Sequence, residues 1–142
     1  MLYTLSLQLR RMILPMLAIL VGASFAAQID RSECQTYVSA MNGNDPTAVA
    51  TLELCRLGHS YQGTLLVKGK SGGSIASVEG YDLCHNNLRL VDSGVQVAAA
   101  NEGWQFCFDD VYELHWQGDH LVGQFHSEEC NDHGKVDFAP RL

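Results

Sequence analysis

The chain has 142 residues, with 16 acidic and 9 basic side chains and a formal net charge of −7. A chain this acidic lacks the lysine and arginine clusters that neutralise phosphates, which argues against nucleic-acid binding and against attraction to anionic membranes. The same charge suits a basic protein partner.

The first 26 residues have the pattern of a secretory signal peptide. Arg10 and Arg11 precede an apolar run over residues 12–23, and the small residues Ser24 and Ala26 stand at the −3 and −1 positions of a cleavage site. The run is short for a membrane span, which needs ~20 residues. The pattern therefore favours a cleaved leader over an uncleaved anchor, with no stable membrane insertion after cleavage.

Residues 27–142 are predicted to form one disulfide-containing domain in the periplasm or outside the cell. Cleavage removes two arginines and no acidic residue, so the formal charge of this part is −9. All of the cysteines lie in it: Cys34, Cys55, Cys84, Cys107 and Cys130. Cysteines of exported proteins usually pair, and an odd number leaves one thiol over or one intermolecular bridge.

Residues 27–58 are predicted to form an α-helical hairpin. Apolar positions between Cys34 and Met41 follow the i, i+4, i+7 spacing of a helix. Asp45-Pro46 is a typical start of a second helix, and Gly58 is placed to end it.

Cys34 and Cys55 are almost equidistant from Asn44, the centre of the predicted loop. Two antiparallel elements joined at that loop bring such residues opposite each other. A Cys34–Cys55 disulfide is therefore predicted, with two buried free cysteines as the alternative.

Residues 59–142 are predicted to form an antiparallel β-meander, as a sandwich or a small barrel. Turn-forming segments recur at 69–73, 92–94, 101–103, 118–119 and 131–134, with strand-length runs between them. The predicted fold class is thus α+β, with a helical hairpin followed by the meander.

The clearest hairpin has Gly118-Asp119 as its two-residue turn. With that turn, the large apolar side chains of both strands share one face, which we expect to be buried. They are Tyr112, Leu114, Trp116, Leu121 and Phe125. The opposite face carries Glu113, His115 and His120.

The segments GYDLC (80–84) and GWQFC (103–107) repeat one pattern. We interpret it as a structural unit in which the glycine ends a turn and the cysteine lies on the outer face. Tyr81, Leu83, Trp104 and Phe106 would then point inward. Because Cys84 and Cys107 occupy equivalent positions of the two segments, a disulfide between them is favoured, and Cys130 is then the odd thiol. A Cys107–Cys130 disulfide is the second choice.

No known catalytic motif is present: the chain lacks G-x-S-x-G, H-E-x-x-H and a P-loop. We therefore predict that the protein is not an enzyme and uses no cofactor. His115, His120 and Glu113 have the chemistry of zinc or copper ligands. Solvated histidines on an exposed sheet are the favoured interpretation of that group.

The function favoured by these features is an exported acidic protein that docks and blocks a basic cell-wall-degrading enzyme, as an inhibitor or immunity protein does. The alternative is a carrier of a small ligand or metal, and the third is an enzyme of unknown class. The predicted docking residues lie in exposed loops: Asp109, Asp110, Asp119, His120, Glu128 and Glu129.

Overall fold

A computed structural model describes residues 33–70, 72–100, 107 and 109–142, with the backbone alone for 95–100. Within these residues, eight antiparallel strands follow one another around a closed barrel, and the last strand pairs with the first. The strands are β1 (Cys34–Ala40), β2 (Val49–Leu57), β3 (Ser60–Lys68), β4 (Gly72–Leu83), β5 (Asn87–Ala100), β6 (Val111–Gln117), β7 (His120–Ser127) and β8 (Asp132–Pro140).

The predicted helical hairpin is wrong: residues 34–57 form β1 and β2, and the described part of the chain contains no α-helix. Ala50, Leu52 and Leu54 are buried while the residues between them are more exposed, which is the two-residue period of a strand. Over a segment this short, the same apolar residues fit both the spacing of a helix and the alternation of a strand. Pairing of β2 with both β1 and β3 decides in favour of the strand.

The predicted helix start at Asp45-Pro46 is a turn. Asp45 Oδ1 accepts hydrogen bonds from the backbone N–H of Thr47 at 2.9 Å and from the Thr47 hydroxyl at 2.5 Å. This Asx turn uses the same side-chain chemistry as a helix N-cap, but here the chain returns as a strand. Gly58, predicted to end a helix, has φ +68° in the tight turn between β2 and β3.

The interior of the barrel is an apolar core built from alternate residues of every strand. At its centre are Leu52, Leu65, Val78, Leu90, Tyr112 and Phe138, and the space that they enclose does not admit a water molecule. An eight-stranded barrel has an interior about wide enough for side chains to fill. This central part of the interior is therefore packed.

The predicted hairpin of β6 and β7 is confirmed residue by residue. Gln117 faces His120 across the Gly118-Asp119 turn, and Val111 faces His126 at the other end. The five predicted inward side chains are buried, Trp116 only partly. Turn type and alternation are local properties, so the sequence alone predicts this register.

The inward orientation of GYDLC is wrong. Gly80 lies within β4, and Tyr81 and Leu83 are 50% and 44% exposed. A Cβ on Gly80 would stand 2.2 Å from the carbonyl oxygen of Arg89 and 2.5 Å from Leu90 Cδ2. The glycine itself faces the core, which turns its neighbours outward. Trp104 and Phe106 lie outside the described residues.

The predicted turn at 92–94 is also wrong, because β5 continues through it. The β4–β5 register shifts around Ala76, and Gly94 adopts φ +107°. A β-bulge thus accommodates Gly94 within a strand that continues past it.

The structure contains two disulfides, Cys34–Cys55 and Cys107–Cys130. Cys34 and Cys55 face each other on β1 and β2, so the predicted pair is present in a strand hairpin rather than a helical one. The favoured Cys84–Cys107 pair is wrong, and Cys84 is an exposed free thiol. In a meander, successive turns alternate between the two ends of the barrel, and this places Cys84 far from Cys107.

The predicted signal peptide lies outside the described residues. Within the described ranges, the structure has no helix with the length and apolar character needed to cross a membrane.

Candidate functional site

One end of the barrel is rich in carboxylates, and we call it the acidic end. It carries the connections β1–β2, β3–β4, β5–β6 and β7–β8, whereas the turns β2–β3, β4–β5 and β6–β7 lie at the opposite end. Among the described residues, the acidic side chains in or beside these four connections are Asp45, Asp92, Asp109, Asp110, Glu128, Glu129 and Asp132.

The predicted docking residues are divided between the two ends. Asp109, Glu128 and Glu129 are exposed at the acidic end. Asp110 lies beside them but is partly buried. Asp119 and His120 lie at the opposite end of the barrel, so they cannot share a small surface with the others.

Four polar side chains form a row across neighbouring strands just inside the acidic end. Val91 faces Val111 and Val111 faces His126, so the register places Asp92 beside Asp110 and Asp110 beside Ser127. Ser127 in turn faces Asp132. Side chains of one row alternate with outward neighbours and therefore point to the same face. We call Asp92, Asp110, Ser127 and Asp132 the carboxylate row.

Two of the four members of the carboxylate row are buried, and Asp110 and Asp132 are partly buried. Asp92 and Ser127 are only 5% and 3% exposed. Asp92 Oδ1 accepts a hydrogen bond from the backbone N–H of Asp110 at 2.8 Å, and Asp132 Oδ1 accepts one from the N–H of Asn44 at 2.9 Å. Asp110 Oδ1 and Ser127 Oγ are buried without a hydrogen-bond partner among the described residues.

Burial also raises the pKa of two carboxyl groups of the row. Desolvation, with the negative charge of Asp110 as the next cause, raises the pKa of Asp92 to about 7. Desolvation raises the pKa of Asp110 as well, and the nearby Ser127 hydroxyl partly offsets this, although the two groups do not form a hydrogen bond of regular geometry. The row therefore holds carboxyl groups whose ionised forms are poorly solvated.

The predicted metal ligands do not converge. His120 Nδ1 lies 2.6 Å from Asp137 Oδ1 on β8, and Glu113 Oε2 accepts a hydrogen bond from Gln124 at 3.2 Å. The Asp137 contact raises the pKa of His120. His115 is exposed on β6, and its ring is not grouped with the other two among the described residues.

A different trio, Cys34, Glu53 and Cys55, has ligand atoms within 4.8 Å of one another. Both of its sulfur atoms are consumed by the disulfide. This trio is therefore not a metal centre in the oxidised protein.

The sequence patterns did not point to Asp92, Ser127 or Asp132 as site residues. Asp92 lies in a segment whose composition predicts a turn, yet it continues the alternation of the buried residues Leu88 and Leu90. A carboxylate on the apolar face of a strand was the available signal.

Comparison with known proteins gives no match: no family model, curated protein or solved structure is significantly similar to this chain. Its function is therefore inferred from its own chemistry.

Proposed function

We propose that this protein is an exported binding protein that docks a basic protein through its acidic end. The observation that carries the proposal is the grouping of the exposed carboxylates of Asp109, Glu128 and Glu129 on two connections joined by the Cys107–Cys130 disulfide. Clustered charge of one sign accelerates association with a partner of opposite charge.

Two described residues beside the disulfide have a backbone conformation that is unusual for side chains with a Cβ. Asp109 and Asn131 have φ angles of +59° and +48°, in the left-handed region that few residues other than glycine adopt. Each lies next to the disulfide or one residue from it. A surface that is ordered before binding loses less conformational entropy on docking.

The partner class follows from charge and compartment. Disulfides fit an oxidising compartment. Enzymes that degrade anionic cell-wall polymers are positively charged where they bind their substrate, so an acidic end is complementary to them. We propose an inhibitor-type or immunity-type role against such an enzyme.

The carrier alternative gains no support from the interior. The described core between Leu52, Tyr112 and Phe138 has no room for a water molecule, let alone a ligand. Docking on the outside is the better match to this barrel.

The experiment uses residues 27–142 and a basic lysozyme as the probe, with cytochrome c as a basic protein that degrades no wall. We expect inhibition of wall lysis and an association rate that falls as salt is raised from about 20 to 200 mM. Glu128→Lys should slow association, and Asp119→Lys at the opposite end is the matched control. Equal binding to both probes, or equal effects of both reversals, would contradict the proposal.

Export is tested separately. The mature protein should begin at Ala27, and intact-mass measurement of protein recovered outside the cytoplasm checks this. A recovered chain that still carries Met1 would show that the leader is not cleaved.

A further inference from the structure

The carboxylate row gathers more negative charge than its surroundings neutralise. It contains the carboxylates of Asp92, Asp110 and Asp132, and no described salt bridge involves any of them. The β5–β6 connection, residues 101–110, contains no lysine or arginine. Buried carboxylates in proteins are protonated, paired or bound to a metal ion.

Two oxygen atoms identify where a ligand would sit. Ser127 is 97% buried, since 3% of its surface is exposed, and its hydroxyl lies near the Asp110 carboxylate without a hydrogen bond of regular geometry. Asp110 Oδ1, just before β6, is buried and likewise makes no hydrogen bond of regular geometry, so the two oxygens are neighbours that do not satisfy each other fully. Ser127 lies between Asp110 and Asp132 in the row, so its hydroxyl points into the acidic group rather than away from it.

We propose that the carboxylate row is a Ca²⁺ site, in which Asp110 and Ser127 are direct ligands. Asp92 and Asp132 flank them and supply the remaining negative charge through bridging water. The ion would join the start of β6 to the β7–β8 connection, the two segments that the Cys107–Cys130 disulfide also joins.

The donor chemistry selects the metal. The row offers only oxygen atoms, whereas zinc and copper sites in proteins are built mainly on histidine nitrogen and cysteine sulfur, with carboxylate oxygens as additional ligands. Among the described residues, its carboxylates do not form a set of three whose oxygens all lie within 4.8 Å. Ca²⁺ accepts hydroxyl, carbonyl and water oxygens in a flexible shell of 6–8 ligands, while Mg²⁺ demands a near-ideal octahedron.

This inference does not rest on the proposed docking function. The ion is bound by inward-facing side chains, and the docking carboxylates of Asp109, Glu128 and Glu129 face solvent. Failure of one proposal therefore leaves the other standing, and the variants below separate them.

The test uses the mature chain, residues 27–142, after treatment with EDTA. Calorimetric titration with CaCl₂ should give about one ion per chain with a Kd of about 10⁻⁴–10⁻³ M, typical of extracellular Ca²⁺ modules. The melting temperature should rise by several degrees at about 10 mM Ca²⁺ and less at the same concentration of Mg²⁺. Asp110→Asn should remove both effects, and Asp119→Asn, at the opposite end of the barrel, should retain them.

Several outcomes would overturn the site. One is a wild-type protein that shows neither heat nor a shift in melting temperature with Ca²⁺. Another is an equal shift in wild type, Asp110→Asn and Asp119→Asn, which would be a general ionic effect. A larger response to Mg²⁺ would overturn the assignment to Ca²⁺.

Two further results keep the test decisive. If Asp110→Asn does not fold, Ser127→Ala and Asp132→Asn replace it, and wild-type Ca²⁺ affinity in both would overturn the proposal. If Ca²⁺ has no effect but Asp110→Asn weakens docking of the lysozyme probe, the row belongs to the docking surface and the metal site is wrong.

Discussion

Asp92 and Asp110 face each other across β5 and the start of β6, and Asp92 Oδ1 accepts the backbone N–H of Asp110 at 2.8 Å. The same burial that protects this hydrogen bond raises the pKa of Asp92 to about 7. The pair therefore combines a structural contact with a charge that is costly to keep inside the barrel.

The first prediction concerns pH and uses protein kept metal-free with EDTA. Because the pKa of Asp92 is higher in the folded state than in the unfolded chain, its stabilising contribution is complete below about pH 4 and is lost as pH rises through 7. Asp92→Asn keeps the acceptor oxygen and removes the charge. It should raise the free energy of unfolding by roughly 2–4 kcal/mol at pH 7.5 and change it little near pH 4.

Urea denaturation at both pH values measures this difference. Glu79→Gln, at an exposed position of β4, is the control and should change stability little at either pH. An equal effect of Asp92→Asn at both pH values would show that Asp92 is already ionised at the lower one.

The second prediction concerns Gly80, where a Cβ would meet the backbone of Arg89 at 2.2 Å. Because that neighbour is backbone within a paired strand, it cannot move aside cheaply, and Gly80→Ala should lower the free energy of unfolding by about 1–3 kcal/mol. Glu79→Ala, on the adjacent exposed position, should stay within about 0.5 kcal/mol. A Gly80→Ala protein as stable as wild type would show that the strands separate there at little cost.

The third prediction concerns the cysteines. A non-reduced digest should contain the Cys34–Cys55 and Cys107–Cys130 peptides, and a thiol reagent should label the native chain once, at Cys84. Cys84→Ser should abolish that labelling without changing the digest. Labelling of Cys130 in place of Cys84 would contradict the arrangement of the two barrel ends.

The fourth prediction concerns His120, whose ring nitrogen lies 2.6 Å from Asp137. The hydrogen bond to that carboxylate raises the pKa of His120, so the contact stabilises the fold most below pH 6.5 and loses this effect as pH rises through the folded pKa. NMR titration should show a His120 pKa above 6.5 that falls in Asp137→Asn. Glu113→Gln, on the other strand of the hairpin and away from the His120–Asp137 contact, should leave it unchanged.

Local signals were sufficient for part of this barrel. The Gly118-Asp119 turn and the alternation around it predict the register of β6 and β7 because both properties belong to a few consecutive residues. Cys34 and Cys55 were paired correctly from their symmetry about Asn44, since any antiparallel hairpin has that symmetry. The same symmetry carries no information on whether the two arms are helices or strands.

Long-range pairing decided the rest. Asp45-Pro46 is an equally good signal for a helix start and for a turn, and only the contacts of β2 with β1 and β3 select the strand. The Cys107–Cys130 bridge and the carboxylate row depend on which turns share an end of the barrel and on the register across four strands. The sequence by itself determined alternation and turn positions, because these depend on neighbouring residues. Only the tertiary structure decided that Asp92, Asp110, Ser127 and Asp132 lie side by side, because the pairing of β5, β6, β7 and β8 brings together residues that are far apart in the chain.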